Sequence, residues 1–280
     1  MLKKEEIKTI KGRTLGQSEI GQVINLGDGS IIKVFSDFFL MTDSLLHLQT
    51  ERKILESDAI KVPEIVTPIS ALYRNGLFCG YRMEEVKGPN YTEIYDRLPE
   101  DDLYTFAIMV RDLENIIRKA NPQGLVFPDI LTCENIIKTQ NGIRLIDFDG
   151  MQYKDMHITA CSTSLGDVSY LEGTKYFKPN KFLTFTPEVD KLSMMVLYLL
   201  STCHLNLMPT MANLSTKMSR ENAIIYIIHV LGLERDPIAY KLFNLFNDKA
   251  PNEFISDDLM RIAEEYRLEQ QGPMKKFKRK

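Results

Sequence analysis

The sequence predicts an α+β fold with its strands and helices segregated, and three observations carry that expectation. Short apolar runs broken by glycine turns fill the first third of the chain, and one helical stretch interrupts them. From about residue 100 onward helical periodicity dominates, apart from a single hairpin and one long polar stretch. With 280 residues, 44% of them apolar, the chain can bury a substantial core in two lobes or one large domain. A formal charge of −3 gives no overall electrostatic footprint for nucleic acid, and none is expected as a partner. Cys79, Cys133, Cys161 and Cys203 are scattered without CxxC spacing, which argues for a reducing compartment and against structural zinc. The opening MLKKEEIKTIK lacks a signal-peptide core, and the longest apolar run, residues 194–200, is too short to span a bilayer. A soluble, cytoplasmic protein is expected.

In chain order, Gly16, Ser18 and Gly21 lie between the apolar residues Leu15 and Val23, and Gly27 to Ser30 reads as a hairpin turn into the strand Ile31 to Phe35. Small residues at 16, 18 and 21 let a backbone approach phosphate oxygens, although a plain β-turn accounts for the same pattern. Lys33 lies within an otherwise apolar strand, where a cation is costly unless paired or wet. A helix is expected from Thr42 to Glu56 with Leu48, Glu51 and Leu55 on one face, so that Glu51 could meet Lys33; in the alternative, Glu51 sits at the stripe's edge in solvent. Arg74-Asn75-Gly76 turns into another strand, Leu77 to Met83, and Gly88-Pro89 marks a boundary. From Glu100 to Ala120 the residues Leu103, Phe106, Val110, Leu113 and Ile117 keep a helical period behind Asp101 and Asp102.

Asn135 to Gly150 follows. Asn141-Gly142 between two apolar runs is the strongest local hairpin signal. The hairpin carries Asn135 at one end and Asp147 and Asp149 at the other, oxygen ligands suited to a hard divalent cation such as magnesium, or else ordinary loop acids. Residues 151–185 are long, polar and poorly periodic, as functional loops are. Helices are expected at 190–200 and near 221–232, 237–247 and 256–268. The basic tail Lys275, Lys276, Lys278, Arg279 and Lys280 is either simply solvated or weakly suggests an anionic partner.

Taken in order, these stretches resemble the protein kinase-like fold over about residues 10–205. Gly16-x-Ser18-x-x-Gly21-x-Val23 resembles the glycine-rich loop, Ile31-Ile32-Lys33-Val34 the strand lysine motif, and Glu51 its helix partner. Met83-Glu84-Glu85-Val86 is similar to the gatekeeper and hinge, Asp147-Phe148 to the start of the activation segment, residues 173–180 to its end, and Asp190-x-x-Ser193 to the start of the buried central helix. The resemblance implies a bilobal molecule: a β-rich N-lobe with one helix at 1–86, a mainly helical C-lobe at 87–268, and the basic tail at 269–280. It implies ATP held by Gly16, Ser18, Gly21, Val23, Lys33, Met83, Glu84 and Val86, and Mg2+ held by Asn135, Asp147 and Asp149. Asp129, with Lys33 and Glu51, would serve catalysis.

Departures fall at the chemistry. Phe127-Pro128-Asp129 stands where the family has His-Arg-Asp, and Asn135 comes six residues after Asp129 instead of five. Without the Arg, ordering of the segment by phosphorylation is not expected. Asp149 occupies the place of the glycine after Phe148, a variant similar to those of small-molecule phosphotransferases and atypical kinases. Three functions therefore stand: a Ser/Thr protein kinase-type phosphotransferase, a pseudokinase that binds nucleotide or a protein partner as a scaffold, and a small-molecule kinase.

Overall fold

The structure is a computed structural model that describes residues 2–18, 20–37, 44–91, 103–128, 130, 134–156, 177–178, 184–185, 187 and 190. The helices expected beyond residue 190, Ser193, the basic tail and most of 157–186 lie outside the described residues, as do Thr42, Asp43, Asp101, Asp102 and Asp129. Within them the chain is α+β: a sheet-rich part, two α-helices and a hairpin.

β1 (Lys3–Glu6), β2 (Arg13–Gln17), β3 (Gly21–Asn25) and β4 (Ser30–Phe35) precede helix α1 (Ser44–Glu56); β5 (Pro68–Arg74) and β6 (Leu77–Glu84) follow it. These six strands form one sheet in the order β1-β5-β6-β4-β3-β2. Only β1 runs parallel to its neighbour, Lys3 to Glu6 pairing with Ser70 to Tyr73. The expected turns are present. Asn25 and Asp28 side chains accept the Gly27 and Ser30 amides at 2.7 and 3.0 Å to close β3–β4. Asn75 and Gly76, with φ of 53° and 77°, close β5–β6 as a two-residue turn with both central residues left-handed.

One side of the sheet is a core of Ile24, Ile32, Val34, Leu72 and Cys79, covered by Ile7, Ile10 and Leu26. The other side carries a row set by register. Val23 stands opposite Lys33, and Lys33 opposite Tyr81; directly paired residues of an antiparallel ladder share a face. Two glycines allow the strands to run this close. A Cβ at Gly21 would stand 2.2 Å from the Val34 carbonyl oxygen, and one at Gly80 would stand 2.1 Å from that of Lys33.

Helix α1 buries Thr50, Lys53, Ile54 and, one turn on, Ser57, a spacing of i, i+3, i+4 and i+7. This corrects the expected face. Leu48 is 59% exposed; the true inward stripe is polar at three of its four positions, and its polar members find backbone partners instead of an apolar surface. Helix α2 (Leu103–Ala120) buries Met109, Val110, Leu113, Ile116, Ile117 and Ala120. A 3-10 turn leads from it to the short β7 (Leu125–Val126).

The expected hairpin forms, with its turn one residue earlier than Asn141-Gly142. β8 (Ile136–Thr139) and β9 (Gly142–Leu145) pair from Ile136↔Leu145 to Thr139↔Gly142, so Gln140 and Asn141 make the turn and Gly142, with φ of 107°, opens β9. β9 is stitched to the segment after α1: Leu145 N–H donates to the Glu64 carbonyl and Val66 N–H to the Leu145 carbonyl, both at 2.8 Å. Past the hairpin, β10 (Gln152–Tyr153) pairs with β7, and β11 (Phe177–Lys178) with β12 (Thr184–Phe185). Among the described residues no helix is long and apolar enough to cross a membrane.

Candidate functional site

Lys33 is the residue around which the site assembles. It lies at the middle of the sheet, 8% exposed, and its ammonium reaches across to the segment after β9. There it donates to Oδ1 of Asp147 and, at 2.7 Å, to Oδ1 of Asp149. The Tyr81 hydroxyl donates to the same Asp149 oxygen at 2.6 Å. The pairing of the sheet lysine with an acidic group is therefore present, with a different acid from the one expected.

Glu51 does not meet Lys33. Its carboxylate accepts the Tyr73 hydroxyl at 2.5 Å and lies 3.6 Å from the Lys4 ammonium. The reason is the helix register. Glu51 projects toward β5, whereas Lys53 occupies the inward stripe. Lys53 is fully buried, and its ammonium donates to the carbonyl oxygens of Asp149 at 2.6 Å and Met151 at 2.7 Å. The sequence reading missed Lys53; its signal was a lysine next to Ile54 at the centre of an amphipathic helix. Tyr81 was missed too, although strand alternation puts it on the same face as Met83.

The local backbone explains how two acids two residues apart converge on one cation. Asp147 adopts a left-handed conformation, φ 65° and ψ 56°, and Phe148–Gly150 make one 3-10 turn behind it. Phe148 is completely buried as the anchor of that turn. A Cβ at Gly150 would lie 2.7 Å from Oδ2 of Asp147, so glycine there leaves room for the Asp147 carboxylate to fold back. Non-glycine residues pay for left-handed backbone with strain, Asn and Asp least.

Two ammoniums and two carboxylates thus meet in one place. Burial alone would depress Lys33, but Asp149 and Asp147 outweigh it and hold the ammonium well above its ordinary range. Burial likewise opposes ionisation of Asp149, yet Lys33 and the Tyr81 hydroxyl keep its carboxyl well below the usual carboxylate range. Asp147 moves the other way, raised by burial and by the neighbouring Asp149 charge. Lys53 is lowered by burial to about 8, with the Asp149 and Asp147 charges opposing.

Asn135 and Asp147 line one small pocket together with Phe127, Ile130, Ile146 and Met151, and the Ile146 amide donates to the Asn135 carbonyl at 2.9 Å. An amide and a carboxylate are the oxygen-ligand types that a hard divalent cation takes, while the rest of the lining is apolar. Asp149, expected with them as a metal ligand, is 1% exposed and faces Lys33 and Tyr81 instead. The floor of this pocket is tied down from below: Asp190, fully buried, accepts the Phe127 amide and the Asn121 side-chain amide, each at 2.7 Å. Asp129, the expected base, lies outside the described residues.

The remaining expected nucleotide contacts separate by role. Gly16 lies in β2 opposite Val23, and Ser18 belongs to the β2–β3 turn, where its amide donates to the Gly21 carbonyl at 2.9 Å. A Cβ at Gly16 would meet nothing, whereas Gly21 is needed for strand packing. Val23 and Met83 lie on the Lys33 face, Met83 buried. Glu84 is exposed and pairs with Arg144 of the hairpin at 2.9 Å, and Val86 is half-buried in the chain leaving β6. No family model matches the chain, and no curated protein matches it.

Proposed function

We propose that the chain is an ATP- and magnesium-dependent phosphotransferase of the protein kinase type, bilobal, with Ser or Thr of a protein as acceptor. The single observation that carries this reading is the meeting of Lys33 with Asp147 across 114 residues of sequence, beside a pocket that Asn135 shares. A sheet cation opposite a carboxylate-amide pair is the charge pattern that a metal-bound polyphosphate requires.

In this reading Asp147 and Asn135 would hold Mg2+, which, when bound, neutralises charge on the phosphates. Lys33 holds the α and β phosphates, and the Gly16–Gly21 turn covers them. Val23 and Met83 present an apolar surface to the base, and the chain from Glu84 to Val86 offers backbone groups at its edge. Asp190 fixes the Phe127 end of the segment that leads to Asp129, so that Asp129 orients the acceptor hydroxyl. Catalysis of this kind rests on positioning more than on covalent chemistry.

Mg-ATP is expected to raise the melting temperature, and purified protein to release ADP. Asp147→Asn is expected to reduce that rate on the order of a hundredfold or more. A wild-type rate equal to that of the variant overturns the claim of turnover. One observation favours a second reading, a nucleotide-binding scaffold without turnover: Lys33 is already paired with two acids. That reading expects the Mg-ATP thermal shift without ADP. Labelled ATP supplied with a metabolite pool distinguishes a small-molecule acceptor, which would carry the label in place of protein.

A further inference from the structure

We propose that Asp149, pinned through its backbone by Lys53, is the fixed counter-ion that positions Lys33, and that Asp147 is the exchangeable one. The inference rests on the phosphotransferase reading for its purpose, though not for its geometry.

The two acids that touch Lys33 are held very differently. Asp149 has a 1% exposed side chain, receives both the Lys33 ammonium and the Tyr81 hydroxyl on Oδ1, and has its carbonyl gripped by Lys53 at 2.6 Å. Any movement of Asp149 breaks three hydrogen bonds to buried donors, each costly to leave unmade in a dry site. The Asp147 side chain is 29% exposed, stands at the pocket shared with Asn135 and occupies a strained backbone conformation. If Asp147 turns to a cation in that pocket, Lys33 keeps one carboxylate and is freed on one side for an anionic ligand.

Helix α1 therefore acts on Lys33 indirectly. Its inward residue is a cation that grips the Asp149 and Met151 carbonyls, and Asp149 in turn orients Lys33. A direct glutamate-lysine pair is replaced by a relay of opposite polarity. Glu51, engaged with Tyr73 and Lys4, has no part in it.

The test measures how fast an amine-acylating reagent labels each lysine in the full chain, read by peptide mass spectrometry in the absence of nucleotide. Wild-type protein is expected to protect both Lys33 and Lys53. Asp149→Asn is expected to speed Lys33 labelling about tenfold, the factor corresponding to loss of one charge-assisted hydrogen bond, while Lys53, held by carbonyls, stays protected. A merely structural role for Asp149 would expose both lysines together, and that outcome overturns the proposal. Glu51→Gln is expected to leave Lys33 labelling at the wild-type rate; acceleration equal to that of Asp149→Asn also overturns it. Should Asp149→Asn fail to fold, Tyr81→Phe removes one bond to Asp149 without changing any charge. It is expected to speed Lys33 labelling more than Glu51→Gln does, and the reverse order sinks the idea. Because labelling needs no turnover, a wild-type protein that neither binds Mg-ATP nor releases ADP refutes the phosphotransferase reading and leaves the labelling result to stand or fall by itself.

Discussion

Tyr73 shows how a single residue can take a charged group away from the place where a sequence would send it. Its hydroxyl, on a ring that is only 7% exposed, holds Glu51 at 2.5 Å, and the Lys4 ammonium lies 4.8 Å from the centre of the same ring. Burial, and then the Glu51 carboxylate, push the Tyr73 phenol well above its ordinary value. The sign of the pH effect follows. Below about pH 10 the phenol is protonated in folded and unfolded chains alike, and its hydrogen bond contributes in full. Above that, the unfolded chain releases its proton first, so the contribution shrinks as pH rises. Tyr73→Phe is therefore expected to lower the urea-unfolding free energy by about 1–3 kcal/mol at pH 8. The gap between variant and wild type should narrow above about pH 10. A gap that stays constant or widens there would show that the hydroxyl is not buried against a charge.

Helix α1 was legible as an element and misread as a face. Its leucines at 48 and 55 suggested the inward side, yet the stripe that is buried contains Thr50, Lys53 and Ser57. Thr50 and Ser57 satisfy themselves within the helix, on the Leu46 and Ile54 carbonyls. Lys53 is satisfied by carbonyls 96 and 98 positions away, and no local pattern encodes such a partner. Ile54→Ala is accordingly expected to cost about 2–5 kcal/mol. Leu48→Ser, at a position 59% exposed, should stay within about 0.5 kcal/mol of wild type by the same urea titration. Equal losses would restore the face first read from the leucines. The β8–β9 hairpin lay at the other extreme. Asn141-Gly142 between two apolar runs marks the hairpin without knowledge of the rest of the chain, although the turn itself falls on Gln140 and Asn141, with Gly142 supplying a positive φ of 107° at the start of β9. Strand β1 gave no such signal: its sequence KKEE is largely exposed, and it joins the sheet through backbone pairing with β5.

At the scale of the molecule, the order of strands, helix, strands, helix and hairpin was readable because each segment declares its own period. How the pieces meet was less so. Lys33 was recognisable as an anomaly in an apolar strand, and Asp147 and Asn135 as oxygen ligands around a turn. Which acid faces which cation depends on a register of helix against sheet that only packing decides. The sheet-rich part and the hairpin share backbone hydrogen bonds at Glu64, Val66 and Leu145, and the Arg144–Glu84 and Lys119–Glu64 pairs lie along the same seam. The Val66 and Leu145 amides are therefore expected to exchange hydrogen with one common opening free energy. Two clearly separate values would mean that the hairpin opens independently of the sheet.

The left-handed backbone of Asp147 has a bearing on how this site can be altered. The position serves twice, once through its carboxylate and once through its φ of 65°, and most replacements disturb both. Asparagine removes the charge while tolerating the conformation, and glycine relieves the conformation while removing the side chain. Alanine does neither cleanly, adding backbone strain to the lost ligand. Loss of function in an alanine variant would thus mix two causes, whereas the asparagine and glycine variants, taken as a pair, separate the chemistry of the carboxylate from the shape of the turn that delivers it.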